Sequence, residues 1–520
     1  MSVTTTIIPV HPTTDENGKR IYQCSMVPKG SGQIHQIQHS LIIPVIFVPG
    51  IMGSNLVDNK DKNVWNGDST ASLVWNWRTA SAEERKKKLR PDLAKLKESK
   101  DLKKDKGWGE PGQSFYLKSL KWLQANLNDY DSYNQKTGER FLMQNGDAQK
   151  ILSSEYSEIQ LEDYFFKYSL DTEDVQHSYN FDFPVYACGY NWLDDNKNSA
   201  EFLLKRIQDV LKIEKQNGPT LDKVIIVTHS MGGLVTRYCS EISGGKDKIL
   251  GVVHGVMPAT GAAAAYTRMK TGNPNFNYNP INAITNQVLG STGTDMSVVM
   301  SQAPGSLELL PFKEYGEGTE YKQWLRIRNE QGEINFLPKA DPFAEIYTTD
   351  EWYGLFEEPM VNPKGIEVEY RTEKIQFLNN MSTVEDFQNL LKNKYHSNSY
   401  VFYGKSNDYK AYGYATWDSQ QFYRQYWLEK APTDGVKKVG GAVKQPSKKY
   451  DYYKYYEISD PNVEGDGTVP FISGIAPKGK FGVKCIRYLE TDHQNAYNVK
   501  TSQLFTLWSI VQIVKQVTCQ

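Results

Sequence analysis

Apolar residues along this chain gather into short, nearly continuous runs cut off by turn residues. Leu41–Val48 runs into Pro49-Gly50, Val185–Tyr190 into Asn191-Trp192, and Lys223–Thr228 follows Gly218-Pro219. Leu250–Gly255, Tyr400–Gly404 and Val483–Leu489 have the same character. Such runs predict strands buried on both faces, as in parallel sheets. Between the second and third, Leu203, Ile207, Val210 and Leu211 recur at helical spacing and predict a helix with one apolar face. Asn198 with Glu201 is a candidate capping box at its start, and Gly218-Pro219 ends it. A second stripe, Leu504, Leu507, Trp508, Val511 and Val514, predicts a C-terminal helix. Strands and helices alternating in this way predict an α/β fold, a mostly parallel sheet flanked by helices.

The alternation is interrupted. Residues 1–40 read as an N-terminal arm, and 41–57, 180–261, 398–404 and 459–520 as the core. Residues 58–179 and 262–397 read as cap or lid insertions, and 405–458 as an irregular insertion. One uncharged stretch, Ile249 to Thr267, holds His254, Pro258 and three glycines. It reads as a strand, a loop and a small-residue helix rather than a membrane span. The first residues carry neither a basic region nor a long apolar one, so no signal peptide is expected and synthesis is expected in the cytoplasm. The run Glu83–Lys106 holds 11 basic and 6 acidic residues. It reads as a solvated helix face, with a patch for anionic lipid as the sharper alternative.

Composition narrows the function. The 520 residues suffice for about three average domains, each of roughly 150 residues. With 39% apolar residues they can bury a large core. A net charge of −1 argues against a nucleic-acid binder, which needs a basic face to displace counterions. The 33 Tyr and 11 Trp suggest aromatic-lined grooves. Five scattered cysteines offer neither a disulfide framework nor a metal pattern.

The strongest chemical signal is Val224-Ile-Ile-Val-Thr-His-Ser-Met-Gly-Gly-Leu-Val-Thr-Arg237, an apolar strand running through Ser230 into a helix. A strained turn of this kind, a nucleophile elbow, holds a serine hydroxyl clear of the backbone. Residues two before and two after the serine approach closely and are usually both glycine. Here Thr228 stands at the first position, so Gly232 is expected to be required. The Met231 N–H, at the helix start, is a candidate donor to an oxyanion. Ile51, after the sharp Pro49-Gly50 turn, is the second, with Met52 the weaker choice.

A serine needs a base, and the base an acid behind it. Of eight histidines, His11, His35, His39, His177 and His396 have no motif around them. His229 abuts Ser230 but is expected to be aimed away by the elbow, and His254 reads as a core histidine. His493 follows the last strand and precedes the C-terminal helix, the place of the base in an α/β-hydrolase. Asp466, between two glycines, is the candidate acid, with Asp460 and Asp492 as weaker ones. The order Ser230, Asp466, His493 is the hydrolase order.

Pro44–Leu56, Thr228–Val235 and Gly465-Asp-Gly-Thr-Val-Pro470 resemble the lipase superfamily that includes lecithin–cholesterol acyltransferase, lysosomal phospholipase A2 and GPI inositol-deacylase. They are more similar still to the type VI secretion lipase effectors with an inositol-deacylase-like core, as are Gly189–Leu193, Val253–Ala262 and Pro304–Pro311. The resemblance implies an α/β-hydrolase fold with Ser230 as nucleophile, Asp466 as acid, His493 as base, and Ile51 with Met231 as oxyanion donors. It implies a phospholipase A-type antibacterial effector acting on membrane phospholipid in the target-cell periplasm, without metal or organic cofactor. A cognate immunity protein and a component of the secretion machine are the expected partners. The alternatives are an acyltransferase or inositol-deacylase-like carboxylesterase with the same triad, and a binding protein on an inactive hydrolase scaffold.

Overall fold

The computed structural model describes residues 41–77, 79–128, 172–272, 292–420 and 452–518, with Gly290 and short strand segments elsewhere. Most of the arm at 1–40, with His11 and His39, lies outside the described residues. Six strands form the central sheet: β1 (Val45–Val48), β2 (Val185–Ala187), β3 (Val224–His229), β4 (Ile249–Gly255), β5 (Ser399–Gly404) and β6 (Val483–Leu489). Their spatial order is β2-β1-β3-β4-β5-β6 and every pairing is parallel. β1, β2, β3 and β5 are buried at every residue, which is why their sequences run apolar without alternation.

Five helices frame the site: α1 (Gln113–Leu127), α2 (Asn196–Glu214), α3 (Gly232–Glu241), α4 (Ala263–Thr271) and α5 (Lys500–Val514). The strands divide their side chains between two apolar clusters. Ile46, Val48 and Ile226 join Leu203, Ile207 and Val210 of α2 and Leu234 and Val235 of α3. Val45, Phe47, Ile225 and Val227 join Leu120 and Leu123 of α1 and Phe505, Leu507 and Trp508 of α5. Helices therefore cover both faces. The α2 cap differs from the expected one: Asp195, not Asn198, caps the helix, its carboxylate accepting from the Lys197 N–H at 2.8 Å.

α1 lies within the stretch read as cap, yet it packs on the central sheet. Its buried stripe Tyr116, Leu120, Leu123 and Leu127 has the spacing of a core-facing helix and gives it no reason to leave the core. Residues 405–458 are not irregular throughout. Ala415–Gln420, Val436–Val443 and Tyr452–Ile458 join Leu325–Arg328 and Ile334–Leu337 in a five-stranded sheet, so parts of two insertions form one body. The basic run is neither simply solvated nor a simple patch. The buried Arg85 donates to the Trp77 carbonyl at 2.6 Å, and Lys86 pairs with Glu373 at 2.8 Å, anchoring the cap. Ile249–Gly255 and Ala263–Thr271 divide the long uncharged stretch into strand and helix. Among the described residues no helix is long and apolar enough to cross a membrane.

Candidate active site

β3 ends at His229, and the chain turns through Ser230 at a φ of 53° before α3 begins. A non-glycine residue in this left-handed region is strained and persists only where its surroundings hold it. Here the Ser230 N–H donates to the Gly255 carbonyl at 2.9 Å, fixing the turn to the end of β4. Gly232 is required for a different reason from the one expected. A Cβ there would lie 2.5 Å from the carbonyl oxygens of Val48 and Pro49, at the end of β1, rather than against Thr228.

Three sequence-selected residues meet at this turn. The Ser230 hydroxyl lies 2.9 Å from His493 Nε2. On the far side of the ring, Nδ1–H donates to Asp466 Oδ2 at 2.7 Å. That bond leaves Nε2 as the acceptor for the serine proton. The other carboxylate oxygen of Asp466 accepts from the backbone N–H groups of Thr468 at 2.9 Å and Val469 at 2.7 Å. The His493 N–H also donates to the Asp466 carbonyl at 2.9 Å. Asp466 approaches the end of β5 so closely that a Cβ on Gly404 would sit 2.5 Å from its own Cβ. Asp460 and Asp492 take no part in this chain of bonds.

The loop after β1 is clamped group by group. Tyr190 O–H donates to the Pro49 carbonyl at 2.8 Å, and Trp65 Nε1–H donates to that of Met52 at 2.8 Å. The Gly50 N–H donates to the Tyr116 hydroxyl at 3.2 Å, and that of Gly53 to the Gly50 carbonyl at 3.0 Å. Neither Ile51 nor Met231 has an N–H donating to a protein acceptor among the described residues. Ile51 lines the same cavity as Ser230, and Met231 follows Ser230 directly at the start of α3, so each carries an unengaged backbone donor beside the turn.

His229 is aimed away from the Ser230 hydroxyl, as expected, yet it belongs to the site. Its Nε2–H donates to the His493 carbonyl at 2.8 Å, and its Nδ1 accepts from the Tyr116 hydroxyl at 2.9 Å. Burial pushes its pKa down to about 3, with the neighbouring His493 adding to the shift, so it is neutral. Reasoning on the elbow alone missed it, and Tyr116 lay in a stretch read as cap. The spacing of Tyr116 with Leu120 and Leu123 was the available signal. His254 sits in the core as expected, sharing a 3.0 Å hydrogen bond between Nδ1 and the Thr228 hydroxyl. That bond accounts for a threonine where elbows usually carry glycine.

The cavity beside Ser230 measures about 240 Å³. Trp65, Leu73 and Trp192 line it from the core side, and Met296, Val299, Met300 and Leu309 from the cap. Its polar end carries Arg268, Thr468, Gln494, Asn495 and Asn498. An apolar chamber with a few polar groups beside the Ser230 hydroxyl has the lining to hold a long hydrocarbon tail.

Residues 157–270 match the family model described as a PGAP1-like alpha/beta domain. The matched segment contains Ser230 and lies apart from Ile51, Asp466 and His493. The chain has an α/β-hydrolase fold, and the segment carrying Ser230 is similar to the PGAP1-like domain. The whole architecture is also similar to that in the crystal structure of the Tle4–Tli4 complex, with a TM-score of 0.73 and 25% sequence identity. That similarity covers 92% of this chain and 100% of the other. No protein of curated function matches the chain in sequence.

Proposed function

We propose that the chain is a serine-dependent lipolytic hydrolase, a phospholipase A-type antibacterial effector delivered by type VI secretion. The observation that carries the hydrolase reading is the 2.9 Å approach of Ser230 Oγ to His493 Nε2 at an apolar cavity. Ser230 attacks the ester carbonyl as His493 takes its proton, while Asp466 holds the ring and stabilises its charge. The backbone N–H groups of Ile51 and Met231 receive the oxyanion. His493 then protonates the departing alcohol, and water enters by the same route in reverse to release the fatty acid.

The effector reading rests on the sequence motifs and on the likeness to Tle4, which was crystallised bound to Tli4. A cognate immunity protein that blocks access to the site in sister cells fits both. The site of action is then the periplasm of a neighbouring cell.

Mass spectrometry of a bacterial lipid extract incubated with the protein tests this directly. Free fatty acid with lysophospholipid, absent with Ser230→Ala, is the expected result. Acyl groups appearing on an added alcohol would favour the acyltransferase, and no change in any lipid would overturn the reading. Expression with an added signal peptide should be toxic in a Ser230-dependent way, whereas equal toxicity of Ser230→Ala would remove the enzymatic basis.

A further inference from the structure

Along α4, Ala264 and Ala265 face the cavity, and Arg268 lines it one turn further on. The helix thus presents two small side chains and, one turn on, one long cation to the cavity. The half-buried guanidinium donates to the Thr468 hydroxyl at 3.0 Å, and Thr468 follows Asp466 by two residues. Among the described residues Arg268 forms no ion pair, and no carboxylate lines the cavity. Burial works against its charge and the nearby Asp466 carboxylate offsets this only in part, so this position carries a remaining cost that an anionic ligand would relieve. A guanidinium has five N–H donors, and Thr468 occupies one of its nitrogens. Its planar fork matches two oxygens of a phosphate.

We propose that Arg268, steadied by Thr468, binds the phosphate diester of a glycerophospholipid whose acyl ester lies at Ser230. This deepens the hydrolase reading and rests on it. The apolar lining from Leu73 and Met296 takes the acyl chain, and Arg268 takes the charge that distinguishes a phospholipid from a neutral glyceride. Specificity then comes from the guanidinium donors that Thr468 leaves open, which a substrate without phosphate does not engage.

The test compares kcat/KM on phosphatidylglycerol and on diacylglycerol of the same acyl chains, both in mixed detergent micelles. The expected result for Arg268→Met is a fall of about 30-fold or more in the phospholipid-to-diacylglycerol ratio, mainly through KM. Arg268→Lys should recover part of the ratio, since it restores charge without the fork. Should Arg268→Met fail to fold, Thr468→Val carries the test, with an expected fall of roughly threefold to tenfold in the same ratio. Glycerol 3-phosphate should inhibit diacylglycerol hydrolysis competitively in the wild type and weakly in Arg268→Lys. Inhibition equalled by inorganic phosphate, with an unchanged ratio in the variants, would mean an anion site unused by substrate and would overturn the proposal. So would a parallel loss on both lipids. A wild type that cleaves neither lipid would instead overturn the hydrolase reading itself.

Discussion

His229 Nε2–H donates to the backbone carbonyl of His493 at 2.8 Å, so the residue before Ser230 holds the main chain of His493. Through Tyr116 the same imidazole is linked to Gly50, in the loop after β1 that carries the proposed oxyanion donor Ile51. One buried relay therefore couples His493 to the loop after β1, the two parts that the proposed acyl transfer needs in register. Tyr116→Phe would leave the Gly50 N–H and His229 Nδ1 unpartnered. The expected outcome is a fall of about tenfold to a hundredfold in kcat with KM little changed. Steady-state kinetics on a short soluble ester check it. An equal loss through KM alone would show that Tyr116 shapes the cavity rather than positioning the base.

Two buried histidines set a pH limit on stability. Burial lowers the pKa of His229 and of His254 from 6.5 to about 3. His493 adds to the shift at His229, and Arg237 and His396 add to it at His254. Both rings are neutral in the fold and take up protons on unfolding below pH 6.5. Their contribution is intact above that pH and is lost as pH falls toward about 3. Each bound proton steepens the dependence by up to about 1.4 kcal/mol per pH unit. Urea unfolding between pH 7.5 and 4.5 should show this slope, and His254→Gln should flatten it. An unaltered slope in the variant would remove His254 from the account.

The elbow ranks two substitutions. Gly232→Val drives a side chain into the Val48 and Pro49 carbonyls and is expected to abolish soluble, active protein. Thr228→Gly relieves no clash and removes the partner of His254 Nδ1, whose Nε2 already lacks one. A loss of about 1–3 kcal/mol is expected. Soluble yield and thermal unfolding of the two variants decide the order. A stable Gly232→Val protein would contradict the close approach of β1 to the start of α3.

The central strands were legible because burial on both faces leaves only apolar residues, and such runs survive any register. The positions of Ser230, Asp466 and His493 were legible for a local reason: each sits where a strand ends and glycine or a helix follows. Tyr116 was not, since its role depends on α1 folding back onto the sheet from a stretch rich in charge. The five-stranded cap sheet was hidden as well. Its strands Leu325–Arg328 and Ala415–Gln420 pair across about 90 residues of chain, and alternation in Tyr452–Ile458 is blurred by consecutive tyrosines.

Covalent labelling tests the central claim most directly. The folded protein is treated with a fluorophosphonate, digested, and the modified peptide sequenced by mass spectrometry. A nucleophile activated by His493 should yield one phosphonyl adduct, on Ser230, lost in Ser230→Ala and in His493→Ala and sharply slowed in Asp466→Asn. Absence of any adduct on a folded wild-type protein, or labelling of another serine that persists in Ser230→Ala, would contradict the account.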